Sequence, residues 1–88
     1  MAHMLAKLRG VRAEDIKKIL EADAAGHAEQ GFYLEYLWQN VDNPDEVLFL
    51  FQVDDLEHAK RFIEEAHAHS RAIDPQGNLP HMTFLEER

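Results

Sequence analysis

Asp42-Asn43-Pro44-Asp45-Glu46-Val47-Leu48-Phe49-Leu50-Phe51-Gln52-Val53-Asp54-Asp55-Leu56-Glu57 sets the frame for the whole 88-residue chain. The first four residues are turn formers: short polar side chains bond their own backbone, and proline presets φ. Glu46 to Val53 is the most apolar run in the sequence, built from branched and aromatic residues that suit a pleated sheet. Either Asp54 or Asp55 can open a helix, and Asp54-x-x-Glu57 has the form of a capping box with aspartate in place of serine or threonine.

Working outward, Phe32 to Asn40 is aromatic-rich and reads as the other arm of an antiparallel hairpin. Before it, Ile16, Ile19, Leu20 and Ala24 recur at helical spacing, with Glu14 and Asp15 where the helix dipole favours acids. One helix is predicted over 13–29, stopped by Gly31, because glycine accepts the left-handed conformation at a helix end. Met4 to Arg9 alternates weakly and reads as a first strand ended by Gly10. After the hairpin, Leu56, Ala59, Phe62, Ile63 and Ala66 form one apolar stripe on a helix expected to run to about Ser70. Asp74 to Asn78 is a loop, and His81 to Glu86 a closing strand.

The order is βαββαβ. It predicts an α+β fold of the ferredoxin-like kind: a four-stranded antiparallel sheet with both helices on one face. The helix-free face then needs a partner. Val47, Phe49, Phe51 and Val53 point one way, and Leu48 and Leu50 the other, because side chains alternate across a strand. Phe32, Leu34, Tyr36 and Trp38 are expected on one side of the preceding strand, Tyr33 and Leu37 on the other. Apolar patches on an uncovered face mark association sites. Burying ~600 Å² of it per subunit is worth roughly 15 kcal/mol gross before association costs. A homodimer is therefore expected. A small core points the same way, since a chain without cysteine has no disulfides to reinforce it.

Composition narrows the function. Acidic residues outnumber basic ones 17 to 9, for a net charge of −8. That surface repels phosphate backbones and anionic lipids, so neither nucleic acid nor a membrane is an expected partner. Glu46 to Val53 also lacks the basic residues of an RNA-binding sheet. No segment resembles a secretory signal, and the expected location is the cytoplasm. Met1 to His3 reads as a cloning remnant ahead of a start at Met4, leaving 4–88 as a single domain. There is no glycine-rich phosphate loop, nucleophile elbow or HExxH, and no residue set that calls for a cofactor.

The run from Asn40 to Phe62, with its Asp-Asn-Pro-Asp-Glu turn, apolar strand and Asp54-Asp55-Leu56-Glu57-His58-Ala59 helix opening, resembles small stand-alone members of the dimeric α/β-barrel superfamily. Leu79-Pro80-His81-Met82-Thr83-Phe84-Leu85-Glu86 is similar to their last strand. The resemblance implies two sheets packed face to face into a barrel, with a ligand pocket between sheet and helices. Such relatives include cofactor-free monooxygenases of antibiotic biosynthesis, haem-degrading proteins, polyketide cyclases and lactone isomerases. The first helix departs from their pattern: where they often carry an aromatic residue, a histidine and an arginine, this chain has Leu20, Asp23 and His27.

Asp23 and His27 are the candidate catalytic pair. Four residues apart on a helix, they are neighbours beside the inward face marked by Ile16 and Leu20. A carboxylate near an imidazole makes a general base; the alternative is a pair at the solvated edge of a rolled helix. Tyr36 and Trp38 are candidate ligand-binding aromatics, with sheet packing as the alternative, and His67 is a third candidate ligand-binding residue. No metal site is expected. His67 and His69, two apart on a helix, do not face each other, and His27, His67 and Glu64 meet only if two helices align them. The expected activity is binding, or cofactor-independent monooxygenase-like or cyclase/isomerase-like chemistry, on a hydrophobic or aromatic metabolite. A non-catalytic dimeric module is the alternative.

Overall fold

A computed structural model describes residues 1–88. The elements are β1 (Ala2–Arg9), α1 (Ala13–Ala22), α2 (Ala24–Glu29), β2 (Phe32–Gln39), β3 (Glu46–Val53), α3 (Leu56–Ile73) and β4 (His81–Glu86). The strands form one antiparallel sheet in the order β2-β3-β1-β4. This is the ferredoxin-like α+β fold, with the helices on one face. Ala2 and His3 pair with Val53 and Gln52, so the first strand begins two residues earlier than its apolar pattern shows.

The hairpin is closed by side chains as much as by its backbone. Asn40 Oδ1 accepts from the Asp42 and Asn43 amides at 2.9 and 3.3 Å, an Asx turn. Asn40 Nδ2 and Arg9 Nε both donate to Glu46, at 2.9 and 2.8 Å. Glu46 is the one buried charged residue, and these two donors hold its carboxyl below the usual carboxylate range, Asn40 contributing most.

The core fills from both layers. Val47, Phe49, Phe51 and Val53 on β3, with Met4 and Ala6 on β1, are buried beneath Ile16 and Leu20 of α1 and Ala59 of α3. Of the stripe on α3, Ala59 is buried and Leu56, Phe62 and Ile63 pack partly buried against the core.

Three local features differ from the sequence pattern. The predicted 13–29 helix is broken at Asp23, whose φ of −95° and ψ of 2° lie outside the helical well. The Asp23 amide still bonds Ile19 O, and the His27 amide bonds Asp23 O, both at 3.0 Å, so Asp23 keeps helix-like hydrogen bonds on both sides of the break. Side-chain periodicity does not register one residue leaving the helical φ/ψ well while its spacing is kept. Asp55, rather than Asp54, caps α3, its Oδ1 accepting from the His58 amide at 3.2 Å. Asp54 instead accepts from the Tyr33 hydroxyl at 3.2 Å, and its amide bonds Gly31 O. Gly31 has φ of +79°, and a Cβ there would come within 3.2 Å of Asp54 Cβ, so the crossing from α2 to β2 needs glycine.

The third difference decides the faces. The β2–β3 register shifts between Leu34 and Tyr36, leaving Glu35 as an extra residue. Phe32, Leu34, Leu37 and Gln39 therefore lie opposite the helix-facing Val53, Phe51, Phe49 and Val47, whereas Tyr36 and Trp38 lie opposite Leu50 and Leu48. A single extra residue inverts the alternation beyond it, so Tyr36 and Trp38 do not share a side with Phe32 and Leu34.

Candidate functional site

Between the sheet and the helices lies a cavity of about 230 Å³. Its floor is Met4, Phe49, Phe51, Phe32 and Met82, one or two side chains from each strand. Its roof comes from Ile19 and Leu20 on α1 and from Phe62 and Ile63 on α3. Apart from these apolar walls and Pro80, the lining has three polar side chains: Asp23, His27 and His67. An apolar cleft with a few convergent polar groups is the usual form of a small-molecule site.

Each polar residue arrives there for a local reason. Asp23 sits at the α1–α2 break, and His27 one turn later on α2. The His27 ring meets Phe51 edge-on, at a centroid distance of 5.2 Å and an angle of 76°. The imidazole of this short second helix thus rests on β3 of the sheet. His67 comes from α3 across the cavity. Its pKa is pushed below the ordinary histidine value, first by burial and then by the nearby Arg71 charge. A depressed value keeps this imidazole neutral at neutral pH, able to accept a proton or a hydrogen bond. The Asp23 carboxylate and the His27 imidazole form no ion pair with each other. They line one space as separate groups, Asp23 exposed at its solvated edge and His27 half-buried.

Asp23, His27 and His67 are therefore brought together, and Tyr36 and Trp38 are not. The two aromatics stack on each other at 5.2 Å and 9°, on the opposite, helix-free face. That face has a regular grid: His81, Lys7, Leu48 and Trp38 form one row, and Thr83, Leu5, Leu50 and Tyr36 the next. Tyr36, Trp38 and Leu85 are 56%, 45% and 42% exposed. Glu35, freed by the bulge, reaches His3 Nε2 at 2.8 Å. The expectation that Tyr36 and Trp38 shape the same pocket as Asp23 and His27 is corrected by that bulge. No three histidine or carboxylate side chains are grouped to hold a metal ion.

Sequence reading missed the aromatic wall. Phe32 stacks edge-on with Phe62 at 5.4 Å and lies 6.1 Å from the His58 ring. His58 Nε2 is 2.9 Å from Gln30 Oε1, tying α3 to the end of α2. The helical stripe pointed to Phe62, but nothing local marks His58 as its neighbour.

A ferredoxin-like domain with a cleft under its helices is the class this geometry defines. Solved structures of the same fold include a candidate antibiotic biosynthesis monooxygenase from Deinococcus radiodurans. It has a TM-score of 0.63 and 15% identity, covering 100% of this chain and 93% of that one. A NIPSNAP domain protein from Burkholderia xenovorans superposes with a TM-score of 0.59 at 21% identity, covering 100% and 95%. A Streptomyces coelicolor protein gives 0.55 at 18%, covering 97% and 94%. At these identities the likeness is one of fold, and it agrees with the resemblance carried by the hairpin and the last strand. No family model matches the chain. A thymidylate kinase from Coprothermobacter proteolyticus is 46% identical over 41 residues, which are 47% of this chain and 21% of that protein. The match spans about a fifth of the length of that curated relative. No helix is long and apolar enough to cross a membrane.

Proposed function

We propose that the chain binds a small hydrophobic or aromatic metabolite in the cleft between helices and sheet, and that Asp23 and His27 supply acid–base chemistry to it without a bound cofactor. The observation that carries this reading is the gathering of Asp23, His27 and His67 on an otherwise apolar cavity wall. Asp23 is exposed at the mouth of this space and His27 and His67 are half-buried along it, so an apolar ligand seated there would meet polar groups that keep part of their hydration. The reaction class that fits is proton abstraction from, or oxygen chemistry on, a compound with an acidic C–H or phenolic O–H, of the monooxygenase-like or cyclase/isomerase-like kind. Thermal-shift screening of aromatic metabolites tests it, with His27→Ala as control. A hit whose shift the variant abolishes supports the reading, and hits indifferent to the variant refute it.

The partner is a second copy. The exposed Tyr36, Trp38 and Leu85 and the half-buried Leu48 and Leu50 give the helix-free face an apolar centre. Packing two such faces together shelters both. The same face supports the second reading, a non-catalytic dimeric module, which gains if no ligand stabilises the protein while the dimer is firm.

A further inference from the structure

A second, larger cavity of about 370 Å³ lies outside the first, between α2 and the exposed part of β2. Leu20, His27, Phe32 and Phe51 line both cavities, so the two meet along one wall, with the His27 imidazole in it. The outer cavity is mostly apolar: besides His27, α2 gives it only Ala24 and Ala28, and Glu21 and Tyr33 are its other polar lining residues. Ala24 and Ala28 are too short to reach Leu34, which is 42% exposed although it lies on the helix side of the sheet. The segment above is also lightly held. It has six residues, none of them buried, and no side-chain cap at its start. Such a segment can shift at little cost.

We propose that the inner and outer cavities form one two-lobed site for a single elongated ligand: two apolar ring systems or arms joined at a waist that carries a hydroxyl or carbonyl oxygen, which hydrogen-bonds to His27. This rests on the reading of the inner cavity as a ligand site and adds the shape of what it takes. Continuity of the walls places the second arm of the ligand beside Ala24, Ala28 and Leu34.

Three probes separate the parts: acetophenone with one ring and the oxygen, benzophenone with two rings flanking it, and diphenylmethane with two rings and none. Calorimetric titration should show benzophenone binding at least about tenfold more tightly than acetophenone, because the second ring leaves water for an apolar groove. It should also outbind diphenylmethane, and His27→Ala should remove that second preference. Ala28→Phe, at an exposed position on the outer lobe alone, should abolish the benzophenone advantage and leave acetophenone unchanged; Ala24→Phe should do the same. Equal affinity for one and two rings, or an Ala28→Phe variant that weakens both probes alike, overturns the two-lobed site while leaving the inner one standing. Failure of all three probes to bind overturns the inner site, and the two-lobed site with it.

Discussion

Phe32→Ala is the most direct perturbation of the wall that the two cavities share. Phe32 is 3% exposed and packs edge-on against Phe62 at 5.4 Å. Truncating a buried phenylalanine costs about 3–5 kcal/mol, through lost transfer energy and the void left behind. The edge-on contact is part of that loss, at ~0.5–1.5 kcal/mol. One side of the ring already borders open space, so fewer contacts are lost and the low end applies, about 3 kcal/mol. A chain of this size has on the order of 4–13 kcal/mol of stability in all. The variant is therefore close to marginal, with Tm lower by roughly 12–24 °C. Urea unfolding followed by circular dichroism, at one fixed protein concentration, should show a lower midpoint with an unchanged slope. Leu34→Ala, two residues along the same strand and half exposed, should cost about 1 kcal/mol or less. A loss below about 1 kcal/mol for Phe32→Ala, or equal losses for the two variants, would refute the placement of Phe32 under α3.

Asp55→Ala removes the cap of α3 and should cost about 1 kcal/mol in the same assay, with Asp54→Ala losing clearly less, since Asp54 accepts only a solvent-exposed bond from Tyr33. Glu46 has a folded-state pKa below its unfolded one, so its contribution is present above the unfolded value and disappears as pH falls through the folded value. Glu46→Gln should flatten the acid limb of the stability–pH curve, and an unchanged limb would refute the assignment. Trp38→Glu should convert a sedimenting dimer to a folded monomer at micromolar concentration. A wild-type protein that already sediments as a stable single subunit would remove the helix-free face as an interface.

Much of the fold was legible because its signals are local. A turn motif ahead of a run that is apolar on both faces, and an aspartate-led helix behind it, required only neighbouring residues. The spacing of Asp23 and His27 was legible too, but not the break at Asp23 that puts them on either side of a helix boundary. Their meeting with His67 was not, because α3 is placed opposite them by the packing of Ala59, Phe62 and Ile63 onto strands from both ends of the chain. Tyr36 and Trp38 were misplaced for the opposite reason: a strict two-residue alternation was assumed through Glu35, and only the hydrogen-bond register with β3 reveals the extra residue.

By itself the sequence determined the order of elements, the hairpin and the absence of phosphate-loop or metal motifs, since each follows from side-chain period and turn chemistry within a few residues. The tertiary structure decided which face of the sheet the helices cover, which aspartate caps α3, where the first helix is interrupted, and that two cavities share a wall beneath the helices. Those outcomes depend on strand pairings and packing between segments far apart in the chain, where one bulged residue or two alanines in place of larger side chains change which groups meet.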